Sequence, residues 1–376
     1  IVGSMVSDYD RIPTRWFHGH GRAGGVRGRP RRHSMTAASV VAVAAAFGVV
    51  EFALPATTAT LAAPPAASAQ GGVSARGVRR YMLVTGSSRG IGYAVCEALM
   101  RKSSAGAPIT VIASGRTLAG SEAAAARLSQ RVPFAGTGAE VHPLELDVAD
   151  ASSRAAAVAS LRSVVGETGR LAALVNNAGI ACDLPWAPTP PGVSYGEMTA
   201  RTVDTNFLGP LQLTKSLISE GLLAGGRVIS ISSGGGHAAV NKVFPQIRDR
   251  FLDPDLSTRD VASLAREFVS DAQRGGKPAL ERGWNYSHRY GFSKLCVTAA
   301  TRGLAREHPD VVVHSCTPGF VLTDMTVGSS ATLTPEQGAA VVAHLALSKN
   351  PEVLESGKFF DHELEVLAWN DARYVK

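Results

Sequence analysis

From position 81 onward, short apolar runs rich in branched side chains alternate with longer Ala/Leu-rich stretches whose apolar positions return every three or four residues. Residues 81–84, 109–113, 140–146, 171–175, 227–232, 311–316 and 358–361 read as strands, and 90–101, 121–131, 152–165, 197–223, 290–307 and 335–347 as helices. Near-continuous apolar strands separated by helical crossovers predict a parallel sheet covered on both faces, so the expected fold is doubly wound α/β, of Rossmann type. One stretch, about 241–285, breaks the alternation and is too long for a plain connection. Within it Val261, Leu264, Phe268 and Val269 share a helical face after Ser257-Thr258-Arg259-Asp260, a capping-box-like start, which predicts an inserted amphipathic helix.

Residues 1–79 follow none of this. They run Gly/Arg-rich, then Ala/Val-rich, then Ala/Pro/Thr/Ser-rich, and read as a cleaved targeting peptide in preference to a membrane anchor over 35–57 or a disordered tail. Positions 80–376 are then a single domain that includes the 241–285 stretch, cytoplasmic or organellar. Composition, with 45% hydrophobic and 18% charged residues among 376, allows a large core. The net charge of +7 suggests an acidic partner until it is located: residues 1–80 hold ten arginines against three acids, and the remaining 28 bases and 28 acids balance. A neutral body argues against nucleic acid as a partner. Cys96, Cys182, Cys296 and Cys316 form no ligand-like cluster and read as buried reduced thiols, with no metal site.

The strand at 81–84 runs into Thr85-Gly86-Ser87-Ser88-Arg89-Gly90-Ile91-Gly92 and then a helix. Glycines there let backbone amides approach a phosphate at the helix N-terminus, which marks Gly86, Ser88, Arg89, Gly90, Ile91 and Gly92 as cofactor-binding. After the second strand the chain offers Arg116 rather than an acid, and Arg89 is a second base; two guanidinium groups suit a 2′-phosphate, so NADP(H) is expected over NAD. Tyr290 and Lys294 stand one helical turn apart, so an ammonium near the phenol is expected to favour phenolate and make the tyrosine a usable acid–base group.

The GxxxGxG spacing, Asn176-Asn177-Ala178-Gly179, Ser232-Ser233, Tyr290-Gly291-Phe292-Ser293-Lys294 and Pro318-Gly319-Phe320-Val321-Leu322-Thr323-Asp324 occur in an order that resembles the short-chain dehydrogenase/reductase family over about residues 80–365. The resemblance implies a catalytic set of Asn206, Ser233, Tyr290 and Lys294. Asn206 would retain a water beside the lysine, Ser233 would bond the substrate oxygen, and Tyr290 would protonate it as hydride arrives. It also implies cofactor contacts from Asp147, Val148, Asn176, Ala178, Gly179, Tyr290, Lys294, Pro318, Gly319, Val321 and Thr323. The 57 positions from Ser233 to Tyr290 resemble the insertion of the monomeric NADPH-dependent carbonyl reductases, which implies a monomer. The expected activity is reduction of aldehydes, ketones or quinones. The alternatives are a catalytically weak NADP(H)-sensing protein, or a membrane-tethered reductase of lipid or steroid substrates. Segments after Gly179, the insertion and residues 326–333 would form the substrate pocket, with Cys182, Trp186, Phe244 and Trp284 giving it an apolar character.

Overall fold

Seven parallel strands form one sheet: β1 (Arg80–Val84), β2 (Ile109–Gly115), β3 (Glu140–Glu145), β4 (Leu171–Asn176), β5 (Arg227–Ile231), β6 (Val312–Cys316) and β7 (Phe359–Phe360). Their order is β3-β2-β1-β4-β5-β6-β7. The computed structural model describes residues 78–132, 135–284 and 289–368. The expected targeting segment and apolar run at 35–57 lie outside the described residues, among which no helix is long and apolar enough to cross a membrane. Strand order reverses between β1 and β4, so a crevice opens beyond their carboxyl ends, where doubly wound sheets take their ligands.

Pleating divides the core between the two faces. Met82 and Val84 of β1 join Val95, Leu99, Val341 and Leu345, from α1 (Gly90–Arg101) and α11 (Pro335–Leu347). Leu83, one position out of phase, joins Leu161, Leu213 and Leu295 on the other face, from α3 (Ala151–Val165), α5 (Gly209–Ser219) and α10 (Arg289–Glu307). The central strands, covered on both sides, show near-continuous apolar runs with little alternation, whereas the edge strand β3 (Glu140–Glu145) alternates exposed and more buried positions. Helix α2 (Leu118–Arg131) begins earlier than its apolar period suggests, because Thr117 caps it by accepting from the Gly120 amide at 3.2 Å.

The single helix expected over 197–223 is a correction. The chain forms α4 (Tyr195–Val203), a π-turn over Asp204–Leu208, and then α5. Gly209 packs so tightly on the next layer that a Cβ there would lie 2.0 Å from the Val148 carbonyl oxygen. The wider turn, with one residue more than α-helical spacing, carries Asn206.

The insertion is helical as expected: α6 (Gly234–Val240), α7 (Pro245–Leu252), α8 (Thr258–Gln273) and α9 (Gly276–Glu281). Ser257 and Asp260 close a reciprocal capping box, each donating a backbone N–H to the other's side chain at 3.2 Å. Val261, Leu264 and Phe268 are fully buried, with α8 packed on α4 and α10.

Candidate active site

The glycine turn after β1 is built for close approach. Gly86 and Gly90 have φ of +63° and +58°, which L side chains rarely adopt. A Cβ on Gly86 would lie 2.8 Å from the Ala178 Cα, and one on Gly92 would lie 2.4 Å from the Asn177 amide nitrogen. Thr85 Oγ1 accepts the backbone N–H groups of Asn177 and Ala178, both at 3.0 Å. The Asn177 side chain donates to the carbonyls of Thr85 (2.8 Å) and Gly86 (3.0 Å). Sequence reasoning passed over Thr85 and Asn177, which tie the two loops of the crevice together. Asn176, expected to touch the cofactor, turns its side chain into the fold, donating to Thr214 Oγ1 at 3.0 Å and Ser230 Oγ at 3.4 Å. Pleating decides between the two amides.

The bases around the glycine turn differ in their engagements. Arg116 is exposed beyond the end of β2. Arg89, beside the glycine turn, forms an exposed ion pair with Asp324 at 3.0 Å. Arg127, absent from the expected set, donates to the Ser88 carbonyl at 2.7 Å and lies 5.4 Å over the Tyr93 ring. Ile91 packs partly buried against the α1–α11 core. Asp147 accepts the Ala149 N–H at 2.9 Å, while Val148 is buried with its carbonyl taken by Arg154. In the Pro318–Asp324 segment, Gly319 has φ of +79° and Val321 is buried, and a Cβ on Gly90 would meet Thr323 Cγ2 at 3.5 Å.

At the carboxyl ends of β4 and β5 the expected catalytic residues converge. Lys294 is 4% exposed, donates to the Ile231 carbonyl at 2.8 Å, and holds its Nζ 5.7 Å from the Tyr290 ring centroid. Burial pushes its pKa down to about 8, against a smaller opposing effect of Cys316. The Tyr290 phenol bonds the Ser233 side chain. Its surroundings do not produce the expected drift toward phenolate. Burial pushes the phenol up to about 12, outweighing the Ser233 bond, with the Asp183 charge adding to the rise. The desolvation thus favours the neutral phenol, the form that can donate a proton.

The adjacent serines separate cleanly. Ser232 is buried, donating to the Lys294 carbonyl at 2.9 Å and bonding Thr298 Oγ1 at 2.7 Å, whereas Ser233 is on the phenol's side and accepts the Gly235 N–H at 3.1 Å. Asn206 ties three elements: its Oδ1 accepts the Ile180 N–H at 2.8 Å, and its Nδ2 donates to the Ile180 carbonyl and to Ser293 Oγ, both at 2.9 Å. A Cβ on Gly179 would lie 3.3 Å from Asn206 Oδ1 and 3.6 Å from Lys294 Nζ, so glycine there keeps the space between them open.

Two residues expected to line the substrate pocket are core instead. Cys182 bonds Thr202 Oγ1 at 3.0 Å, and Trp284, 1% exposed, packs on Phe268 and Phe292. Their apolar character was legible, but not which side of the wall they occupy. Phe244 is exposed, and Trp186 lies 5.4 Å from Phe320, bridging the loops after β4 and β6. All four cysteines are buried and free, and burial pushes the Cys96 and Cys316 thiols up to about 12, which leaves them unreactive.

A glycine cradle at the switch point, room beside Gly179 and a buried lysine next to a neutral phenol fit a nicotinamide dinucleotide, and define the class as a dinucleotide-dependent oxidoreductase. The profile of the family described as short chain dehydrogenase matches residues 80–245. Carbonyl reductase (NADPH) 1 of Sus scrofa is 31% identical over 296 residues, spanning 77% of this chain and 94% of that protein. The protein belongs to the short-chain dehydrogenase/reductase family. Its fold is shared with salutaridine reductase from Papaver somniferum (TM-score 0.61, 24% identity, 75% of this chain and 99% of that one). Menthone neomenthol reductase from Mentha piperita shares it too (TM-score 0.59, 24% identity, 76% and 99%).

Proposed function

We propose that this protein is an NADPH-dependent reductase of aldehyde, ketone or quinone carbonyls. The observation that carries the reading is the convergence of Ser233, Tyr290 and Lys294 at the carboxyl ends of the central strands, with the Lys294 Nζ buried 5.7 Å from the Tyr290 ring. NADPH, when bound, supplies a hydride to the carbonyl carbon. Tyr290 gives its hydroxyl proton to the carbonyl oxygen, completing the alcohol, and Ser233 donates a hydrogen bond where negative charge develops on that oxygen. Lys294, with its pKa near 8, is charged at neutral pH and offsets the charge left on the phenolate. It would also hold the nicotinamide ribose. Asn206 fixes the loop after β4 against α10 and borders the space beside Lys294 where a water would link it to solvent.

Preference for NADPH is supported by Arg116 beyond β2 and by the cofactor in the name of the Sus scrofa relative. The glycine turn would take the pyrophosphate, Asp147 and Val148 would flank the adenine, and Ala178, Gly179, Pro318, Gly319, Val321 and Thr323 would line the nicotinamide half. The insertion supports a monomer, because the apolar face of α8 is already spent on α4 and α10.

Oxidation of NADPH and NADH against a panel of aldehydes, ketones and quinones tests the reading. Tyr290→Phe is expected to bind NADPH within about twofold of the parent while losing turnover by about 10³-fold. Turnover retained in that variant rejects the assignment.

A further inference from the structure

Two opposite charges lie buried at the start of α10 and take no part in the reaction as described. Asp183, in the segment after β4, has a side chain only 5% exposed and accepts the Tyr290 backbone N–H on both carboxylate oxygens, at 3.1 and 3.3 Å. Arg289, 8% exposed, stands 3.8 Å from that carboxylate through Nε. Its Nη2 donates to Thr189 Oγ1 at 2.8 Å and to the Cys182 carbonyl at 3.3 Å, and its guanidinium lies 4.8 Å over the Tyr195 ring. Burying such a pair is costly and is weak evidence of a gain in stability, since apolar side chains of similar volume hold a fold as well. What apolar side chains cannot do is accept the amide of the residue that carries the phenol.

We infer that Asp183 and Arg289 are positioning residues for proton transfer: the carboxylate fixes the backbone of Tyr290, and Arg289 clamps the segment 182–195 onto the same end of α10. The inference rests on the reading of Tyr290 as proton donor. Other groups act on the phenol less directly or in the opposite sense. Among the described residues, Asp183 from the segment after β4 and the Ser233 side chain at the end of β5 act on it, Lys294 holds its Nζ 5.7 Å from the ring with Cys316 of β6 beyond, and Arg289 reaches it through Asp183. Asp183 opposes ionisation of the phenol, and Arg289 lowers the Asp183 pKa that burial raises. What the geometry of the pair fixes is where the phenol sits.

The experiment uses the full chain with NADPH and 4-nitrobenzaldehyde at pH 7, measuring kcat and KM, and NADPH affinity by nicotinamide fluorescence. Asp183→Asn keeps an acceptor for the amide but weakens it by removing the charge. It is expected to lower kcat about tenfold with KM and NADPH affinity within about twofold. Arg289→Met, which frees the segment 182–195 from the start of α10, is expected to lose a similar factor in kcat. If both variants melt lower yet keep kcat within about twofold, the pair is a structural brace and the inference is overturned. Should Asp183→Asn or Arg289→Met fail to fold, Asp183→Glu decides: the longer side chain keeps the charge but displaces the amide. It should lose about tenfold in kcat with KM within about twofold, and unchanged kcat overturns the inference. A Tyr290→Phe control run alongside separates the two failures. Activity retained there removes the reading of Tyr290 itself, whereas an inactive control with unmoved pair variants removes only the pair.

Discussion

Phe268 of α8 packs its ring 4.2 Å from that of Phe292, two positions past Tyr290 on α10. Trp284 closes the same cluster edge-on to Phe292 at 5.3 Å and donates its indole N–H to Asp271 at 2.9 Å. The insertion is therefore part of the wall behind the catalytic helix. Phe268→Ala should cost about 3–5 kcal/mol, read as a lower urea midpoint with unchanged slope. A loss below about 1 kcal/mol would mean the cluster is not packed as described.

The bases near the glycine turn should not contribute equally to cofactor choice. Arg116→Ala is expected to raise KM for NADPH by about tenfold while leaving NADH kinetics in place, since only the 2′-phosphate loses a partner. Arg89→Ala should change either KM by no more than about threefold, because its guanidinium already pairs with Asp324 at an exposed site. Steady-state kinetics with both cofactors check the contrast. Equal losses from the two variants would place Arg89 on the phosphate after all.

Lys294 leaves a signature in stability. Its pKa is 10.5 in the ordinary environment and about 8 when folded, so between those values the unfolded chain binds the proton more strongly. Stability from this group rises as pH increases from about 8 to about 10.5, and below 8 burial of the charge costs a constant roughly 3 kcal/mol. Urea melts of cofactor-free parent and Lys294→Met should diverge across that window, the parent gaining relative to the variant. Parallel pH dependence would show that the lysine is not desolvated.

The two serines at the end of β5 make a matched pair. Ser232→Ala abandons Thr298 and the Lys294 carbonyl inside the fold and should cost about 1–3 kcal/mol in melts, with turnover largely kept. Ser233→Ala removes a short helix cap and the partner of the phenol. It should lose about 10²-fold in kcat with a smaller fall in stability. Reversed outcomes would exchange their roles.

The strands were legible because each is a short apolar run between turn residues, and Tyr290 and Lys294 because a helix places positions four apart on one face. Asn206's wide turn was not, since nothing local in Asp204-Thr205-Asn206-Phe207-Leu208 interrupts a helix, and the close approach of Val148 to Gly209 beside it joins positions far apart in sequence. The pairing of Arg89 with Asp324 was not legible either, because Asp324 lies far along the chain. The rise of the Tyr290 pKa was missed for a similar reason: the lysine is visible one turn away, while the desolvation that dominates comes from the surrounding wall.

The aromatic seal behind Phe292 also limits how this chain can be remodelled. Trimming residues 241–284, or exchanging them for a relative's segment, would strip the cover from the turn that bears the phenol, so the piece cannot be swapped like a detachable cap. Drift should be freest at its outward arginines and glutamates, such as Arg266 and Glu267, and scarcest at Phe268 and Trp284.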